Sequence, residues 1–215
     1  MNQIIPTIFA KDKKTFLDKL NILSKFSKCL HLDICDGKFV KTKTLNLDQM
    51  GEVLNFKKIN FQVHLMVEEP LNYLDYLIKL NVFEIFVHYE IFNSFEEFEI
   101  LKRKFNQRNI QVNLVVNPLT DIGEIISYLS QVNTVMLMSV EPGAEGQKFI
   151  EKTFERIRQL KLLNSSLIIQ VDGGVDEGVS RELFSFGANN LCVGSYISSS
   201  KTPRANFSKL QTLAK

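Results

Sequence analysis

The chain has no tryptophan, and its three cysteines, Cys29, Cys35 and Cys192, form neither a CxxC pair nor an even set. That excludes a disulfide-stapled scaffold and fits reduced, mostly buried thiols of a cytoplasmic protein. An excess of one charge is also lacking. Lys and Arg number 26 against 24 Asp and Glu, and a net charge of +2 is too small to imply nucleic acid or a membrane surface as a partner. No apolar run approaches the length of a membrane span. The first apolar run is broken by Pro6 and followed by Lys11-Asp12-Lys13-Lys14, which argues against a signal peptide. No GxGxxG follows that run, which disfavours a doubly wound dinucleotide-binding sheet. Linkers, low-complexity tracts and short-period repeats are absent too. The 215 residues therefore read as one domain, 1–215, long enough to bury a core.

What the chain does have is an alternation. Short apolar or β-branched runs occur at Ile4–Phe9, Cys29–Ile34, Asn60–His64, Ile85–His88, Val112–Val116, Thr134–Met138, Leu167–Val171 and Leu191–Val193. Stripes at helical spacing lie between them: Phe16, Leu17, Leu20, Leu23 and Phe26; Leu71, Leu74, Leu77, Ile78 and Leu80; Phe95, Phe98, Leu101 and Phe105; Phe154, Ile157, Leu160 and Leu163. Eight strands alternating with helices at this length predict an α/β fold, a single-domain (β/α)8 TIM barrel.

Three of the runs end in residues able to bind a metal: His31 with Asp33, His64, and Asp172. Each alone is as well explained by a hydrogen-bonded core histidine or a loop-capping aspartate. In a parallel barrel, however, these strand ends share one mouth. Alternation puts Cys29, His31, Asp33 and Cys35 on one face of their strand and Leu30, Leu32 and Ile34 on the other. The apolar face belongs against the helices, so the polar face points inward, where an idle His and Asp are costly to bury. Imidazole nitrogen with carboxylate oxygen suits one borderline divalent ion: zinc, iron(II), cobalt or manganese. His88 ends the fourth run and reads as a structural or supporting residue, because the other four ligands already make a set. Asp36-Gly37 reads as a turn, and Thr120 or Asp121 as a cap after Asn117-Pro118.

Glycines recur after the last strands, in Gly143-Ala144-Glu145-Gly146, Gly173-Gly174 and Gly194-Ser195. Loops at these places form the recurrent phosphate site of such barrels, where backbone amides bind the anion without a lysine cluster. A phosphate-bearing ligand is expected.

Taken in order, several stretches resemble the ribulose-phosphate 3-epimerase family nearly end to end. They are His31-Leu32-Asp33-Ile34-Cys35-Asp36-Gly37-Lys38-Phe39-Val40, Val63-His64-Leu65-Met66-Val67, His88-Tyr89-Glu90, Asn117-Pro118-Leu119-Thr120, Met138-Ser139-Val140-Glu141-Pro142-Gly143, Gly146-Gln147-Lys148-Phe149, Val171-Asp172-Gly173-Gly174-Val175 and Gly194-Ser195. The resemblance implies a (β/α)8 barrel with one divalent metal that interconverts D-ribulose 5-phosphate and D-xylulose 5-phosphate. By position, it makes His31, Asp33, His64 and Asp172 the metal ligands, with Asp33 and Asp172 also the acid/base pair. It makes Gly143, Gly146, Gly173, Gly174, Gly194 and Ser195 the phosphate pocket. Met66 and Met138 would pack about the reacting carbons, and His64 would border the substrate. A phosphorylated ketose is the implied partner, and self-association into a homo-oligomer is expected.

The chain departs from the family pattern in places. Thr7 stands for a usual serine and keeps the hydroxyl. Cys35 stands for a methionine, Lys41-Thr42 for proline-asparagine, and Ala144-Glu145 for phenylalanine-glycine. Glu145 puts a negative charge beside the expected phosphate, which weakens binding unless it points away. Two other readings remain: a 3-epimerase of a six-carbon ketose phosphate such as allulose 6-phosphate, and a non-catalytic phosphate-sensing barrel.

Overall fold

The computed structural model describes residues 2–51, 59–80 and 82–214. Eight strands form a closed parallel barrel in sequential order: β1 (Gln3–Ile8), β2 (Cys29–Cys35), β3 (Asn60–Met66), β4 (Glu84–His88), β5 (Gln111–Val116), β6 (Thr134–Met138), β7 (Ile168–Asp172) and β8 (Asn190–Val193), with β8 pairing back onto β1. The described helices are α1 (Lys13–Leu23), α2 (Leu47–Gly51), α3 (Leu74–Lys79), α4 (Phe95–Asn106), α5 (Lys152–Leu163), α6 (Glu177–Phe186), α7 (Ser195–Ser198) and α8 (Pro203–Leu213). The expected TIM barrel is what forms, and strand ends differ from the sequence reading by at most two residues.

Local chemistry starts the helices where the sequence permits. The Asp12 carboxylate accepts from Thr15 N at 2.8 Å ahead of α1, and Ser94 Oγ accepts from Glu97 N at 3.3 Å ahead of α4. Helix α4 also carries Glu96 and Glu97 in its first turn and Arg103 and Lys104 in its last, which complements its dipole. Between β5 and β6 the chain makes a 3-10 helix, Ile122–Tyr128, opened by a capping box of Asp121 and Glu124. The cap expected after Pro118 is therefore Asp121.

The apolar stripes bury as their spacing requires. Phe16, Leu20, Leu23, Phe98, Phe105, Ile157 and Leu160 are fully buried and pack with Leu30, Leu32, Val63 and Leu65 on the outer faces of the strands. Two stripe members fall outside this layer: Ile78 is 41% exposed and Leu163 48%. Leu77 takes the buried position on α3, and the next residue is turned about 100° away from it. Leu163 is the last residue of α5, beyond the turn that touches the sheet. Phe26 lies past the end of α1 and packs on Phe207, ring centroids 5.1 Å apart.

Inside the barrel the odd positions of β2 meet a mixed plug. Ile5, Phe86, Val115, Met136 and Cys192 form its apolar part. Gln170 Nε2 donates to Gln62 Oε1 at 2.9 Å, while Gln62 Nε2 is buried without a hydrogen-bond partner among the described residues. The plug closes the barrel from below and leaves the upper interior to His31, Asp33, His64 and Asp172.

Candidate active site

Strand register brings the site together. Asp33 lies beside His64 in the β2–β3 pairing, and Asp172 lies beside Met138 and Cys192 in the β6–β7 and β7–β8 pairings. His31, Asp33, His64 and Asp172 each direct one ligand atom to a common point, all within 4.8 Å of one another. His64 Nδ1 is 3.1 Å from Asp33 Oδ1 and 3.6 Å from Asp172 Oδ2. His31 Nε2 is 3.3 Å from Asp33 Oδ1, without the geometry of a hydrogen bond.

The donor set fits a cation. Both ring nitrogens of His31 are buried and have no hydrogen-bond partner among the described residues. A buried imidazole left this way loses its hydration for nothing unless a further group takes its lone pair. Two carboxylates and two imidazoles at one point answer that need with a divalent ion. The electrostatics of the bare site point the same way. Burial works against charge on His64, but its contacts with Asp172 and Asp33 outweigh it and raise its pKa to about 9. Burial would likewise raise the Asp33 carboxyl, yet the two imidazoles reverse this and hold it well below the usual carboxylate range. The carboxylates thus recruit positive charge, which a proton on His64 supplies when nothing else does.

A second line of residues fixes the ring of His64. Its Nε2 is 2.8 Å from His88 Nε2, and His88 Nδ1 is 3.3 Å from Glu90 Oε2. Glu90 is itself held by Asn117 N, donating at 2.8 Å, and by the Thr120 hydroxyl. Burial pushes the His88 pKa down to about 4 despite Glu90, so His88 is neutral and carries one ring proton. With that proton on Nδ1 toward Glu90, His88 Nε2 accepts from His64 Nε2–H, so that once a cation displaces the extra proton of His64 the Nδ1 lone pair would face the cluster. His88 therefore stands behind the ligand set, as its position in the sequence suggested. Glu90 was missed, although its place two residues after His88 on a strand end is a signal for it.

Above this floor lies a cleft lined by Thr7, Asp33, Met66, Met138, Asp172 and the glycine loops. Every expected phosphate-pocket residue, Gly143, Gly146, Gly173, Gly174, Gly194 and Ser195, lines it. His31 and His64 are fully buried beneath. The glycines at the seventh strand end are required by space as well as by conformation. Gly173 has φ +110°, and a Cβ there would stand 2.4 Å from Val140 Cγ2. Ser139, to which the sequence reading gave no role, ties the ends of β6 and β7: its Oγ donates toward Asp172 O at 2.9 Å and Gly173 O at 2.6 Å. Asp36 is the expected turn residue, accepting from Lys38 N, Phe39 N and Glu68 N at 2.7, 3.0 and 2.9 Å. Cys35 packs on Met66, Sγ to Sδ 3.8 Å. Burial with Asp33 and Asp36 nearby raises its thiol, which stays protonated.

The sequence profile described as the ribulose-phosphate 3 epimerase family matches residues 3–198. The chain belongs to this family. It is similar to ribulose-phosphate 3-epimerase of Aquifex aeolicus (strain VF5), 34% identical over 188 residues that make up 86% of this chain and 83% of the relative. The corresponding protein of Helicobacter pylori (strain J99) is 30% identical over 215 residues, 98% of this chain and 97% of the relative. Among solved structures, 3-hexulose-6-phosphate synthase from Salmonella typhimurium superposes with a TM-score of 0.75, covering 100% of this chain and 98% of that one at 10% identity, and so bears on the fold alone. Membership in an epimerase family makes the chain an isomerase-class protein, and the buried His/Asp cluster is a site able to hold a metal ion.

Proposed function

We propose that the protein interconverts D-ribulose 5-phosphate and D-xylulose 5-phosphate by moving a proton on and off C3. The observation that carries this reading is the pairing of Asp33 and Asp172, two carboxylates on β2 and β7 that flank one buried imidazole under a glycine-lined cleft. Epimerisation beside a ketone needs a weakly acidic proton removed from one face and one returned to the other. One aspartate serves as base and its opposite as acid, and the roles exchange in the reverse direction. A divalent ion held by His31, Asp33, His64 and Asp172 would supply positive charge against the enediolate oxygens as they develop. Met66 and Met138 wall the cleft with apolar surface and exclude water from the reacting carbons. The Gly143, Gly146, Gly173, Gly174, Gly194 and Ser195 cup, with the Thr7 hydroxyl, anchors the phosphate. Thr7 Oγ1 is buried without a hydrogen-bond partner among the described residues, which leaves it free to serve a ligand.

The same reading takes residues 1–215 as one catalytic unit that acts in the cytoplasm as a homo-oligomer on a phosphorylated ketose, with neither nucleic acid nor a membrane as partner. Among the described residues no helix is long and apolar enough to cross a membrane. Replacing either carboxylate tests the mechanism. Asp172→Asn and Asp33→Asn should each lower turnover by roughly 100- to 10,000-fold. Near-wild-type turnover in Asp172→Asn, measured as xylulose 5-phosphate formed, would refute the two-aspartate assignment.

A further inference from the structure

The phosphate cup already contains a carboxylate of the chain itself. Glu145 lies on the loop after β6, and its Oε1 comes within 3.3 Å of the point where a Cβ on Gly194 would stand. Lys19, from α1, donates to both Glu145 oxygens at 3.0 and 2.9 Å, and to Phe9 O at 2.9 Å. The Lys19 side chain is only 11% exposed and that of Glu145 27%, so the ion pair is partly withdrawn from water. Burial and the charges of Asp33 and Asp172 raise the Glu145 carboxyl, and Lys19 opposes them. The ammonium is what makes an anion tolerable at this place.

Space leads to the same residue. The cleft that Glu145 lines has about 50 Å³ free, whereas small-molecule sites commonly offer roughly 300–1,000 Å³. With Glu145 in this position a ketose phosphate entering the cleft would be crowded at the loop after β6. Glu145 has the charge sign of the phosphate and already holds the cation the phosphate would need. Two anions sharing one ammonium in a half-buried cup repel. The Glu145 residue itself stands at the surface, so rotation of its side chain carries the carboxylate into water. Lys19 can stay in place, anchored on Phe9 O.

We propose that Lys19 is the cation of the phosphate cup and that Glu145 is its exchangeable occupant: the incoming phosphate takes over the ammonium as Glu145 turns out to solvent. The proposal rests on the reading of this cleft as a ketose-phosphate site and adds a specificity-determining pair to it. It turns the charge of Glu145 from a defect of the loop into a competitor that sets how strongly an anion must bind to enter.

Calorimetric titration of the metal-loaded protein with inorganic phosphate tests it, on wild type, Glu145→Gln, Lys19→Met and the double variant, each checked for folding by thermal melting. Removing the competing charge should tighten phosphate binding on the order of tenfold in Glu145→Gln, and losing the ammonium should weaken it by a similar factor in Lys19→Met. The double variant should bind more weakly than Glu145→Gln, because Lys19 is then absent. In D-ribulose 5-phosphate turnover the effect of Glu145→Gln should fall on KM. Glu145→Gln no tighter than wild type, or the double variant as tight as Glu145→Gln, overturns the exchange while the epimerase reading stands. Absence of phosphate binding in Glu145→Gln as well as in wild type, both folded and metal-loaded, overturns the cup itself, and only a wild type that leaves D-ribulose 5-phosphate unchanged overturns the epimerase reading.

Discussion

His31 and Lys19 mark the two ends of what a single residue reveals. His31 sits at an odd position of an otherwise apolar-even strand, so its inward direction and its burial follow from alternation alone. Its two unpartnered nitrogens then ask for a ligand. Nothing local marks Lys19: it meets Glu145 across 126 positions of sequence, and only the closed barrel brings them together. Glu90 is intermediate, close to His88 in sequence but given its purpose by Asn117 and Thr120 from the next loop. At this scale the relay through His88 makes a prediction. His88→Phe removes the acceptor that holds His64 in the tautomer with its Nδ1 lone pair toward the cluster. Metal affinity should fall by about 10- to 100-fold, with ligation by His64 no longer fixed. Titration of metal-free protein with cobalt, read in the visible spectrum, checks this, and unchanged affinity would remove His88 from the metal site.

At the scale of elements, the strands were legible because each is a short apolar run bounded by turn residues, and α1, α3, α4 and α5 because their stripes have one period. Helices α6 and α8 were given no stripe, and of the 3-10 helix Ile122–Tyr128 only its cap was read, because its seven residues give too few turns for a period to stand out. The loops after β6 and β7 are read correctly as glycine loops, but their separate demands appear only in three dimensions. Gly173 and Gly146 both have positive φ, +110° and +76°, yet a Cβ on Gly146 meets nothing within 4 Å while one on Gly173 runs into Val140. Gly146→Ala should therefore cost only the conformational penalty, roughly 1–2 kcal/mol. Gly173→Ala should cost more, about 3 kcal/mol or above, because the clash adds to the strain. Urea unfolding of the two variants compares them directly, and equal losses would contradict the packing argument.

For the molecule as a whole, the closed parallel barrel converts residues from distant stretches into one centre. Strand β2 supplies His31 and Asp33, β3 supplies His64, and β7 supplies Asp172, more than a hundred residues later in the chain. The plug of Phe86, Met136, Gln62 and Gln170 beneath them closes the barrel and keeps the four ligand atoms facing the mouth. On the proposed reading, the barrel brings together a floor able to hold a metal ion, a facing pair of carboxylates and an anion cup, which jointly would perform proton exchange on a phosphorylated ketose. The decisive measurement is turnover of D-ribulose 5-phosphate by the purified, metal-loaded protein, scored as xylulose 5-phosphate with and without chelator. Turnover that chelator abolishes and added divalent metal restores is the predicted result. A folded, metal-containing sample that leaves D-ribulose 5-phosphate unchanged would contradict it.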